Sequence, residues 1–130
     1  MKIKLARTII AIALMGFFTQ ISVAQDENAM GALKEVADIV ISINHYPSDA
    51  DKTALANIAA NDALPQGVRD MATAVINISH GANDEGKDAM ARIQARDQAP
   101  DRAKVLAGII ASFKHKLSAE EKTALAQFFP

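Results

Sequence analysis

Cysteine and tryptophan are absent from all 130 residues, and tyrosine occurs once. Without cysteine there is no disulfide framework, no thiolate metal ligand, no CxxCH haem attachment and no lipid-modified cysteine. Aromatic residues make up only 5% of the chain. Glycine numbers only six and is scattered, so no phosphate-cradling loop of the GxxxxGK[ST] or GxGxxG type exists. The HxxxH and HExxH spacings are missing as well. No charge sign dominates, for 14 basic residues face 15 acidic ones. The longest uncharged apolar run, Thr8 to Phe18, is far short of the roughly 20 residues an α-helix needs to cross a bilayer.

That run does have a recognisable setting. Lys2, Lys4 and Arg7 precede it, and polar and small residues follow, ending in Ser22 and Ala24. A cationic start, a short apolar centre and small residues three and one before a cut describe a secretory signal peptide. Cleavage is expected after Ala24, through the general secretion pathway because no Arg-Arg pair is present. Removing 24 of the 130 residues leaves 106, with 11 basic against 15 acidic residues. The expected product is a single periplasmic or secreted domain, residues 25–130. Its net charge near −4 offers no footprint for nucleic acid or an anionic membrane. Lacking disulfides, it must be held by its core alone, which a chain of this size can build.

The mature region is a threefold repeat with a period of 35 residues. Residues 33–60, 68–95 and 103–130 align without a gap, and the first copy shares 11 of its 28 positions with each of the others. Five columns are identical throughout: Ala37/Ala72/Ala107, His45/His80/His115, Lys52/Lys87/Lys122, Ala54/Ala89/Ala124 and Ala56/Ala91/Ala126. The histidine column uses every histidine in the chain. The period is close to the 34 residues of tetratricopeptide repeats, but the aromatic positions and alanine spacing differ, and the consensus is the chain's own.

Each copy reads as two helices. Val36, Ile39, Val40 and Ile43 fall at i, i+3, i+4 and i+7, as do Met71, Ala74, Val75, Ile78 and Leu106, Ile109, Ile110, Phe113. The second helix opens on Ser48, Asn83 or Ser118 as N-cap, with acids in the first turn. Pro65 and Pro100 mark the links between copies. The expected fold is all-α: three tandem 35-residue helical hairpins, six short helices, forming a small α-solenoid or bundle.

For the invariant polar columns, a structural role is the first expectation. Ala37, Ile41 and His45 make a second helical stripe that places His45 at the last turn, where imidazole could bond free carbonyls. Lys52, Lys87 and Lys122 would then reach over the turn to the same carbonyls, closing a repeat-structural clamp. Metal ligation by His45, His80 and His115 requires the three imidazoles to converge on one ion. In an open stack, equivalent positions lie on the order of 10 Å apart, so only a closed pseudo-threefold bundle would assemble such a site. A Ser48, His45, Asp51 set has the residue types of a hydrolytic triad, but Ser48 and Asp51 are better explained as a helix cap.

The copies differ most just after the histidine, where Tyr46-Pro47 becomes Gly81-Ala82 and Lys116-Leu117. Tyr46, Pro47 and Lys116 are therefore the expected partner surface. The functional expectation is an exported helical-repeat module that binds a protein or peptide, a second copy of itself included, with no cofactor and no enzymatic activity. The alternative is a small-ligand or metal binder using the three histidines.

Overall fold

The computed structural model describes residues 27–130, and the expected leader with its expected cleavage site lies outside the described residues. Among these the fold is all-helical, with no strand. Helix α1 runs through residues 27–42, followed by α2 Asp49–Ala60, α3 Gln66–Ile76, α4 Asp84–Ala95, α5 Asp101–Ser112 and α6 Ala119–Phe128. None is long and apolar enough to cross a membrane.

The helix starts follow the sequence closely. The Ser48 hydroxyl accepts from the Asp51 N–H, and the Asn83 side chain accepts from Gly86. Ser118 and Glu121 form a reciprocal capping box. Each cap satisfies a donor that the helix itself cannot, and removing one costs about 1 kcal/mol. Pro65 and Pro100 sit at the N-cap positions of α3 and α5 in extended backbone, so each proline ends a link and releases a helix.

The apolar columns form one core. Val36, Val40, Met71, Val75, Leu106 and Ile110 are all but fully buried, and Leu55, Met90 and Leu125 close the inner face of the second helices. Ala37, Ala72 and Ala107 have no exposed surface, as expected for small residues where helices approach closely. Phe129 is buried as well, so the third copy seals its end with an aromatic. Helix α2 packs on α3 and α4 on α5, while the first helices α3 and α5 touch one another directly. The second helices of the first two copies thus lean on the copy that follows.

The stack is closed. Backbone hydrogen bonds join the copies in a ring: His45 N–H donates to His115 O (2.5 Å), His115 N–H to His80 O (2.5 Å), and His80 N–H to His45 O (2.7 Å). The first and third copies are therefore partners, which an open solenoid forbids. Of the two arrangements the repeat allows, the chain adopts the bundle with pseudo-threefold symmetry.

Candidate metal centre

The histidines stand at the hub of this ring because the chain pins them from both sides. Two residues before each lies a buried apolar residue, Ile43, Ile78 or Phe113, and two residues after lies another, Pro47, Ala82 or Leu117. Between these anchors each histidine takes a left-handed backbone, with φ of 75° at His45, 66° at His80 and 60° at His115. Among the described residues these are the only positive φ values. For an L-residue with a Cβ this conformation costs on the order of 1–2 kcal/mol, and glycine adopts it without that steric penalty. The chain instead writes histidine there three times. Strain of this kind collects at functional sites.

The backbone triangle brings the side chains together. Ring centroids lie 5.2 Å apart for His45 and His80, 5.0 Å for His45 and His115, and 5.3 Å for His80 and His115. The rings stand edge to face, with interplanar angles of 88°, 61° and 70°. One ring nitrogen from each histidine falls within 4.8 Å of the others. Nδ1 of His80 and Nδ1 of His115 are 3.4 Å apart. Tetrahedral zinc holds its nitrogen ligands at 2.0–2.1 Å, which sets them about 3.3 Å from one another. That pair is already at ligating separation.

The third ring has a partner of its own. His45 Nδ1 lies 2.7 Å from Asn44 Oδ1, so an Nδ1–H donated to the amide oxygen leaves Nε2 with the lone pair. Metal-binding histidines are oriented by such bonds. The second torsion of histidine is broad, so ring rotation is the motion available to bring nitrogens that lie within 4.8 Å of one another toward ligating separation. His45 is half-buried, whereas His80 and His115 are exposed. The site is a shallow tripod at one end of the bundle, open on the side of the second and third copies.

Several expectations change on this geometry. The histidines do not cap helices, because α1 ends at residue 42 and α3 and α5 end at Ile76 and Ser112, before each histidine is reached. The lysine clamp does not form either. Lys52, Lys87 and Lys122 are exposed, and their backbone N–H groups donate to the N-cap carbonyls of Ser48, Asn83 and Ser118. The two ion pairs among the described residues, Lys34–Asp38 and Arg69–Asp62, involve none of them. Pro47 is withdrawn from the partner surface: it is one of the most buried of the described residues and anchors the His45 turn. Tyr46 and Lys116 are exposed, and both border the histidine tripod. Ser48 and Asp51 are engaged with each other as a cap, and His45 bonds Asn44, so no hydrolytic triad is assembled.

Two residues in the site were assigned no role from the sequence. Asn44 orients His45, and it could have been suspected only from its place beside the invariant histidine. Gly81 is the other. A Cβ built there would lie 2.9 Å from the carbonyl oxygen of Phe113, because the second copy pairs edge to edge with Lys114 of the third. No family model, curated protein or solved structure matches the chain. The tripod itself is the strongest basis for a functional reading.

Proposed function

We propose that the protein binds a divalent transition-metal ion, zinc(II) or copper(II), on His45, His80 and His115. The observation that carries this is the convergence of one imidazole nitrogen from each of three sequence-equivalent positions, held on a closed backbone ring. Three neutral imidazoles suit both metals, and a three-histidine set leaves a coordination position for water or another ligand. The left-handed backbone at all three positions supports the same reading, since its cost is repaid if the side chain has work to do.

The leader-like residues 1–24 support an exported protein, so the metal would be held in the periplasm or outside the cell. Binding of a peptide along a repeat surface has less behind it. Closure of the three copies removes the extended concave face on which helical solenoids bind their partners.

The direct test is calorimetric titration of the metal-free protein with zinc and with copper. One equivalent bound, with no binding to a chain in which all three histidines are replaced by asparagine, is the expected result. Asparagine tolerates the left-handed backbone, so the replacement keeps the turn. Absence of stoichiometric uptake by the unaltered protein would end the metal reading.

A further inference from the structure

The three ligands are alike, but the rim around them is not. Immediately before the histidines stand Asn44, Ser79 and Lys114, and immediately after them stand Tyr46, Gly81 and Lys116. The pseudo-threefold ring places these six residues at equivalent stations around the tripod. None is acidic. The third copy contributes two exposed lysines, the chain neighbours of His115 on either side. The first copy contributes Tyr46, the one large exposed hydrophobic residue of the described chain, at 62% exposure. The second contributes no side chain, because Gly81 has none and the carbonyl oxygen of Phe113, 2.9 Å from where a Cβ would stand, closes that place.

The rim is therefore uncharged in the first two copies and carries two exposed cationic residues in the third. Three neutral imidazoles leave the ion its full double positive charge, and the paired lysines add to that field rather than offset it. We propose that the remaining coordination position takes an anionic oxygen ligand, a carboxylate or a phosphate oxygen, with Lys114 and Lys116 as its counter-charges. This rests on the three-histidine metal reading. Lysine serves as a compact point charge toward such groups and sets no planar geometry, which suits either oxyanion. The metal supplies the bond, and the lysines supply selectivity for charge over a neutral donor.

The test uses the cobalt(II)-loaded full chain, whose visible absorption reports changes in coordination. Acetate, inorganic phosphate and imidazole are titrated separately into the unaltered protein and into Lys114→Gln/Lys116→Gln. In the unaltered protein all three should perturb the spectrum. In the double variant, affinity for acetate and phosphate should fall about tenfold, while that for imidazole, which needs only the open position, should stay within twofold. Far-UV circular dichroism and one bound cobalt per chain establish that the variant is folded and loaded. If only one oxyanion responds in this way, that class is the ligand. A cobalt spectrum indifferent to both oxyanions overturns the inference and leaves the metal site standing. Equal weakening of all three ligands also overturns it, because the lysines would then shape the site rather than attract the anion. Failure to take up cobalt or zinc at all sinks the metal reading and this inference together.

Discussion

The histidine column and the lysine column are equally invariant, seven residues apart in every copy, yet they end in opposite places. His45, His80 and His115 meet within hydrogen-bonding reach of one another at the axis of the bundle. Lys52, Lys87 and Lys122 point into solvent on three separate helices. Repetition alone thus carries no information about convergence. A residue near the symmetry axis acquires two copies of itself as neighbours, while one at the periphery acquires none. Only the first kind can form a site from a single repeated letter.

The contrast is sharpest in metal binding. Replacing any one histidine, for example His115→Ala, should lower zinc affinity by more than the roughly 10- to 100-fold that follows loss of an outer-shell partner. Replacing any one of the three lysines should leave the titration unchanged. A comparable effect from both columns would erase the distinction. Next in size is the effect of the metal on folding. At a free concentration one hundred times its dissociation constant, zinc should stabilise the native state by about 2.7 kcal/mol, read as a rise in the thermal or urea midpoint. In the triple histidine variant that rise should vanish.

A smaller effect separates a functional histidine from a structural one. His80→Gly relieves the left-handed strain and in the metal-free protein should be neutral or stabilising by on the order of 1 kcal/mol, measured by urea unfolding, while abolishing tight zinc binding. Marked destabilisation of the metal-free protein would show that the imidazole itself holds the turn. The smallest effect belongs to the periphery. Lys52→Ala, Lys87→Ala and Lys122→Ala should each change stability by no more than about 0.5 kcal/mol, because none breaks a buried contact or an ion pair. A loss well above that would restore the clamp.

Much of this architecture was legible in the chain. The i, i+3, i+4, i+7 pattern through Val36, Met71 and Leu106 specifies the buried faces, and Ser48, Asn83 and Ser118 announce the helix starts. These are contacts within a copy or between neighbours, which periodicity encodes directly. Closure is different, since it depends on whether the rotation from each copy to the next sums to a full turn. No residue type records that angle, so the separation of the histidines could be stated only as a choice between open stack and closed bundle. The left-handed turn was hidden for a related reason. Glycine is the usual sign of a positive φ, and here histidine occupies it. Pro47 misled in the opposite direction, because a proline in a variable turn suggests an exposed loop. Burial of the equivalent Leu117 and Ala82 shows that the column is a packing position with loose demands on shape.

The ring of hydrogen bonds through His45, His80 and His115 also fixes a number. Each copy offers one donor and one acceptor to it, and with three copies every one is used. An open solenoid can gain or lose a repeat at its end and keep its nature, but a closed circuit admits no such edit. A fourth copy would find no free edge to join, and a chain with two would leave a donor and an acceptor facing water. The repeat number is therefore part of the fold's definition, and any ligand set drawn from that ring is a set of three.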